Sequence, residues 1–487
     1  MSTPSTPSTP STQPAQAARA VVHPRLGPGT IRRTYMGGYE WEVEFANGRR
    51  FRLPAREFDA ASVEAWRERA GGAASPPPAT GTEPRAAVLE IDQFRARQTL
   101  EALRLGIVPI QDVETLTIGL EAEQVSLDRA LARGKERGGD VQAVIGDYGF
   151  GKSHFVELAA RRALREGFLV AAASLDLVEV PPGRARDIYA ALVRALRYPD
   201  TERRGPRPLL ERALERPGVV DAFVTASPIP AYCPLSAALK ALEACGSQDA
   251  YDDIVAWIGG AIRPTPALRA CLRKPPALYA TGEVARQYAY LLSAIGVLAS
   301  LAGYSGLAVL IDESEHYSLL RAAQRGRADA FFKALIYGAL GPANSRVDPT
   351  SIQDHARADY PLAFSSTPHL FFLFALTESE NRMPVDAWLA PSAIVRLDDR
   401  FIERDIRAFF GTLQHYHGLA YDYTPDPERH AEVAAHAPTL LSRALGQHRI
   451  NVREVIRLTV AVCDLLYLYP EDSPERVLGE LGKGLGI

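Results

Sequence analysis

Cysteine is scarce in this 487-residue chain: its four copies, Cys233, Cys245, Cys271 and Cys463, lie far apart, with no CxxC pair among them. That spacing excludes a disulfide scaffold, gives no support to a zinc or redox centre, and suits a reducing cytoplasm. Lysine is scarce too, with 6 copies against 49 arginines. The bias reads as the codon usage of a GC-rich genome, so a lone arginine says little and a lysine in a special place says more. A charge excess is also missing. With 55 basic and 58 acidic residues the net charge is −3, which argues against coating nucleic acid or membrane through bulk charge. The first charged residue is Arg19, so the start lacks the basic n-region and apolar core of a secretory signal, and the expected location is cytoplasmic. Residues 287–311 carry no charge. Their Tyr, Ser and Gly content and the break at Gly303-Tyr-Ser-Gly306 nevertheless predict two buried elements and no membrane span.

What is present divides the chain into segments. Residues 1–20 form a Ser/Thr/Pro-rich tail with too little apolar surface to offset its ordering entropy, and disorder is expected. Residues 21–60 alternate like short strands (Thr30–Tyr35, Tyr39–Phe45, Arg49–Leu53), with Gly37-Gly38 and Asn47-Gly48 as hairpin turns. This is the size and pattern of a small SH3-like or Tudor-like β-barrel, whose modest arginine excess faces either phosphate or plain water. Residues 61–86 contain AGGAASPPPATGTEP and read as a flexible linker. Over 87–400 strand-like runs alternate with helices, the pattern of an α/β domain, with a proline-broken helical insertion at about 199–276. Residues 401–487 read as helix only: Glu403–Leu419, Glu428–Ala437, Thr439–Leu445, Val452–Leu468 and Pro474–Leu481.

The most informative segment is VQAVIGDYGFGKSHFVELAARRAL, Val141 to Leu164. Gly146, Asp147, Tyr148, Gly149, Phe150, Gly151, Lys152 and Ser153 match GxxxxGK[ST], the Walker A phosphate-binding loop, and His154 follows directly. An apolar strand precedes the loop and a helical pattern follows it, as the chemistry requires. Glycines let backbone N–H groups curl around the β-phosphate, and the helix N-terminus adds a favourable dipole. Lys152 reaches the β- and γ-phosphates, while Ser153 is placed to hold Mg²⁺. A second site is therefore expected, and Gly306-Leu-Ala-Val-Leu-Ile-Asp312-Glu313 supplies it as a Walker B strand. Asp312 ends the strand as the second Mg²⁺ ligand, and Glu313 is the candidate to polarise water for attack on the γ-phosphate.

Further candidates are less specific. The strand His369–Thr377 ends in Thr377, fitted to sense the γ-phosphate, with Glu378 as the second choice and a plain polar turn as the competing reading. Arg449, Arg453 and Arg457 recur at helical spacing, and Arg453 is the residue expected to reach from a lid toward the nucleotide, against the alternative of a solvated face. Arg396 and Arg400 are weaker choices for an arginine acting on a neighbouring copy, in a homo-oligomer that the sequence itself does not show. Adenine contacts are expected in Arg104–Leu120, around Ile107, Val108 and Gly119.

Taken in order, ARQTLEALRLGIVP (Ala96–Pro109), GDYGFGKSH, GYSGLAVLIDE (Gly303–Glu313) and FFLFALTES (Phe371–Ser379) resemble the BREX-system ATP-binding proteins of bacterial anti-phage defence. That resemblance implies an AAA+-like fold of origin-recognition or STAND type with a helical lid, ATP and Mg²⁺ as cofactors, and defence-system partners, often a helicase. The N-terminal barrel and tail are additions to the family core and leave open which defence system is meant. The function expected is an ATP-hydrolysing switch or remodelling ATPase working with nucleic-acid-processing partners. Two alternatives stand beside it: a nucleotide-gated scaffold with little turnover, and a DNA-binding loader acting through the barrel. A small-molecule kinase or a two-lobed helicase motor fits less well, since one P-loop is found and an Asp-Glu pair suits water activation.

Overall fold

The computed structural model describes residues 19–23, 27–35, 40–45, 50–54, 58, 91–260, 265–272, 278, 285–352, 360–397, 403–423, 426–447 and 450–485. The chain forms two compact units, Met1–Val88 and Leu89–Ile487. In the first, strands β1 (Arg19–His23), β2 (Gly27–Tyr35), β3 (Glu40–Phe45) and β4 (Arg50–Pro54) pair as an antiparallel meander in chain order. The expected strands are there, together with β1, which the alternation did not mark. The expected barrel is not supported by the pairings: among the described residues they run β1-β2-β3-β4, with none between β1 and β4. Among the described residues Val21, Ile31, Val43, Phe45 and Phe58 pack together as its core. Glu44 takes up two of the arginines, Arg32 at 3.1 Å and Arg50 at 2.9 Å. The tail through residue 18, nearly all of the linker, both hairpin turns, Arg400 and Arg449 lie outside the described residues.

The second unit is built on a parallel sheet in the order β6-β7-β8-β5-β9, with β5 Gly139–Gly146, β6 Leu169–Ser174, β7 Leu307–Asp312, β8 Leu370–Leu376 and β9 Ile394–Leu397. Its central strands are covered on both faces, so β8 and β7 up to Asp312 are apolar, while β5 also buries Asp140 and Gln142. Leu370, Phe372, Phe374 and Leu376 point into one core with the helices Ala285–Leu301 and Ala322–Leu340, while Phe371, Leu373 and Ala375 point into another with Lys152–Arg165. Phe372 and Phe374 stack at 4.9 Å, and Phe332 meets Phe374 edge-on at 5.3 Å, contacts worth about 0.5–1.5 kcal/mol each beyond their area. The uncharged stretch 287–311 resolves into one buried helix and one buried strand. No described helix is long and apolar enough to cross a membrane.

The insertion expected at 199–276 contributes five short helices between Arg207 and Leu272. Their apolar residues, Leu209, Phe223, Leu239 and Trp257 among them, join the same core as the sheet. The C-terminal region is helical as expected, with one difference. Pro427–Gly446 is a single helix running through Pro438, where a break was predicted. Proline there frees the carbonyl four residues back, that of Ala434, and Arg407 Nη1 donates to it at 3.0 Å. Helix Ile91–Leu105 packs on Glu403–Tyr421 and Val452–Leu468, not on the sheet, through Ala96, Leu100, Leu103, Phe409, Leu413 and Val460. The lid therefore draws on both ends of this unit.

Helix Ala285–Leu301 approaches β8 closely at Gly296, where an added Cβ would lie 2.5 Å from the His369 carbonyl oxygen and 2.9 Å from that of Pro368. Both obstacles are backbone, so Gly296→Ala is expected to cost about 1–3 kcal/mol. Gly326, in helix Ala322–Leu340, has open space around its Cα, and Gly326→Ala is expected to gain about 0.5–1 kcal/mol. Urea unfolding midpoints that move in the same direction for both variants would contradict this packing.

Candidate functional site

Strand β5 ends at Gly146, and the helix Lys152–Arg165 starts just beyond it. Between them Gly149 and Gly151 adopt φ of +84° and +85°, left-handed values that side chains disfavour. Gly146 is needed for closeness instead, since a Cβ would sit 3.1 Å from both Cβ and O of Leu397 on β9. Lys152 is buried, and its Nζ donates to the Gly146 and Asp147 carbonyls at 3.0 Å each. The N-terminus of this helix opens onto a cleft of about 640 Å³ lined by the loop, the geometry in which backbone N–H groups and a helix dipole favour an anion.

The strand order brings the second acid to the same edge. Asp312 is in register with Ser174, and Ile311 with Phe374, so β6 and β7 end together, two residues short of the level at which β5 gives way to the loop. Asp312 and Glu313 line the cleft, as does Ser174. Asp312 Oδ1 accepts the Glu313 N–H at 2.8 Å. Glu313 is exposed and has φ +55°, a conformation that costs a non-glycine residue roughly 1–3 kcal/mol and recurs at functional sites. Two hydroxyls beside this edge are buried without a hydrogen-bond partner: Thr377 Oγ1, one residue beyond β8, and Ser314 Oγ, directly after Glu313. An orphan buried hydroxyl is costly. Thr377 does not line the cleft.

The far wall of the cleft is the segment that follows helix Ile91–Leu105. Ile107, Val108, Leu116 and Ile118 line it, an apolar surface suited to a flat base, while Gly119 does not. Arg104 turns away, to Asp464 and Tyr421 on the lid helices. His154 fixes this wall. Its Nε2 lies 2.9 Å from Thr117 Oγ1, whose own proton goes to the Val113 carbonyl at 2.6 Å, so the imidazole is the donor. Part of the residue remains open, but protein atoms crowd the ring, and this desolvation lowers its pKa to about 4 against a smaller opposing pull from the Val113 carbonyl. The ring is therefore neutral at pH 7; it borders the cleft and clamps the helix Lys152–Arg165 to the segment that carries Thr117.

The lid closes the third side. Asn451 caps the helix Val452–Leu468 by accepting the Glu454 N–H at 3.1 Å, and its side chain lies against Gly149, where a Cβ would come within 2.7 Å. Arg453 lines the cleft, its N–H donating to the Gly149 carbonyl at 3.2 Å and its Nη1 to Tyr148 Oη at 2.8 Å. Phe150 packs into the lid core. Arg396 is in register with Ile145 and pairs with Glu378 at 3.0 Å and Asp386 at 3.2 Å.

Lys152, Ser153, His154, Asp312, Glu313 and Arg453 thus meet around one cleft, which Thr377 and Arg396 do not line. Sequence reasoning did not find Ser174, Ser314, Thr117 or the contact of Tyr148 with Arg453. Only the strand register could have signalled the first, and nothing local signals the others. Residues 91–216, about a quarter of the chain, match the family model of the BREX system ATP-binding protein BrxC/D. The match takes in helix Ile91–Leu105, the base wall, the phosphate loop and β6, and it ends before Asp312. Among curated proteins no match is found.

The lowered pKa of His154 makes stability depend on pH. Below pH 6.5 the unfolded chain binds a proton that the folded ring refuses until about pH 4, so this contribution is complete above pH 6.5 and is lost as pH falls toward 4. Relative to His154→Gln, the wild type is expected to lose about 1–2 kcal/mol between pH 7.5 and pH 5. Parallel pH profiles of unfolding for the two proteins would contradict the clamp.

Proposed function

We propose that this protein is an ATP-binding and ATP-hydrolysing switch of the AAA+-like kind, working with other components of a bacterial BREX-type defence system. One observation carries the reading: a single cleft gathers Lys152 and Ser153, Asp312 and Glu313, and Arg453 from three distant parts of the chain. The placement of β8 between the phosphate-loop strand β5 and the acid-bearing strand β7 supports it, as does the family match over 91–216. In this reading the loop N–H groups and Lys152 bind the phosphates, and the base lies against Ile107 and Val108. Glu313 orients the attacking water, and Arg453 answers to the γ-phosphate. Thr377, and Ser314 beside it, supply hydroxyls whose hydrogen bonds are unmade in the protein alone.

Mg²⁺ fits this donor set. It needs only one or two protein oxygens beside phosphate and water, and Ser153 and Asp312 border the same cleft. Among the described residues no cluster of three or more His, Cys, Asp or Glu offers an all-protein cage. When bound, the ion neutralises charge on the phosphates.

The direct contact of the lid with the phosphate loop favours a second reading, a nucleotide-gated scaffold in which occupancy moves the lid and turnover is slight. A helicase partner, DNA contact through the N-terminal sheet and assembly into a homo-oligomer remain parts of the proposal that rest on the resemblance and on composition. Pairing of Arg32 and Arg50 with Glu44 lowers the charge available there for DNA.

Steady-state ATP hydrolysis, with and without duplex, forked and single-stranded DNA, separates these readings. Lys152→Ala is expected to abolish ATP binding. Glu313→Gln is expected to keep binding and to lower turnover at least about a hundredfold. Wild type that binds ATP yet turns over no faster than Glu313→Gln under every condition would remove the hydrolysis claim in favour of the scaffold.

A further inference from the structure

Two cations that border the cleft rest on oxygens of the phosphate loop itself. Lys152 donates to the Gly146 and Asp147 carbonyls, the very loop that wraps a phosphate. Arg453 donates from Nη1 to Tyr148 Oη at 2.8 Å, and its guanidinium carbon lies 4.9 Å from the centre of the Tyr148 ring. Tyr148 stands at a variable position of the loop pattern and is 65% exposed, so no packing demand explains an aromatic residue there. The arginine is confined on its other sides. A Cβ on Gly106 would come within 3.0 Å of Arg453 Cδ, and the Arg453 N–H is tied to the Gly149 carbonyl. Gly106 begins the base wall and Gly149 belongs to the phosphate loop, so the arginine stem passes between the two parts that would grip a nucleotide. Its head is then the one part of it with freedom to swing.

We propose that Tyr148 is a positioning residue that parks Arg453 on its hydroxyl and ring face, and thereby sets how strongly the site distinguishes a nucleoside triphosphate from a diphosphate. The inference rests on the ATP-site reading given above and deepens it. A diphosphate reaches only as far as the loop and Lys152, so Arg453 stays parked and the hydrogen bond to Tyr148 is kept. A γ-phosphate draws the guanidinium off Tyr148, and that hydrogen bond is given up in exchange for a stronger one to an anion. The parked state therefore lowers triphosphate affinity and leaves diphosphate affinity untouched, as any contact that differs between two states must. Because Asn451, Arg453 and Phe150 join the loop to the lid, the same exchange carries γ-phosphate occupancy to the lid helix.

The test uses the full-length protein, a fluorescent ADP and a fluorescent non-hydrolysable ATP analogue, with Mg²⁺. Tyr148→Phe removes the hydroxyl and keeps the ring. It is expected to tighten the ATP analogue about three- to tenfold, the worth of one such hydrogen bond, with ADP affinity unchanged and the thermal midpoint of the empty protein lowered by at most a few degrees. In an Arg453→Ala background the same change is expected to be silent, which a merely structural tyrosine would not produce. Equal shifts for both nucleotides, weaker binding of the ATP analogue, no shift, or an unchanged effect in the Arg453→Ala background would each overturn the parking role. Wild type that binds neither nucleotide would overturn the ATP-site reading itself.

Discussion

Burial of the parallel sheet on both faces constrains everything else in the larger unit. Its strands have apolar side chains on each side, so polar chemistry has nowhere to go except the strand ends. All five strands run the same way, and their carboxyl ends lie within two residues of one another. Gly146, Ser174, Asp312 and Thr377 therefore arrive at one edge although they are spread over more than half the length of the unit. The order β7-β8-β5 then places a strand between the phosphate loop and the acids. The separation of the two motifs in space is set by that intervening strand, whatever the length of chain between them.

The lid depends on a second constraint. Helix Ile91–Leu105 packs with the C-terminal helices, so the chain passes from lid to sheet through the segment that forms the base wall. Buried polar groups hold this junction. His417 is fully buried and hydrogen-bonds Asp464 at 2.9 Å, and Arg104 pairs with the same carboxylate. Burial pushes the Asp464 pKa up, but hydrogen bonds from His417 and Arg104 outweigh it and hold the carboxyl below its usual value. Removing one partner would leave a buried charge uncompensated, which is why such clusters fix an arrangement more than they add stability. The C-terminal helices in turn touch the loop 146–153 through Asn451, Arg453 and Phe150.

Much of this was legible in the chain alone. The GxxxxGK[ST] spacing requires a strand before it and a helix after it, and both are present. The apolar run before Asp312-Glu313 has the length and composition of a strand buried on two faces, and it is one. Uncharged residues 287–311 divided where Gly303 and Gly306 predicted. These features are local: a hydrophobic period, a glycine at positive φ or an acid at a strand end is written in consecutive residues.

What only the tertiary structure decided depends on residues far apart in sequence. The proline at 438 signals a break, yet Arg407 from another helix satisfies the freed carbonyl and the helix continues. Alternation in the N-terminal block fixed its strands, but closure depends on whether β1 meets β4, and alternation does not encode that partner. Arg396 was one arginine among 49, and only the register with β5 put Glu378 and Asp386 beside it. Helix Ile91–Leu105 reads as part of the α/β domain because it precedes the first strand, but its apolar face fits the lid. Tyr148 is an unremarked x in a motif until the fold lays Arg453 across it. Local sequence specifies elements and the glycine-rich turn between β5 and the helix after it, whereas the choice among equally apolar faces and equally charged arginines is made by the geometry of packing.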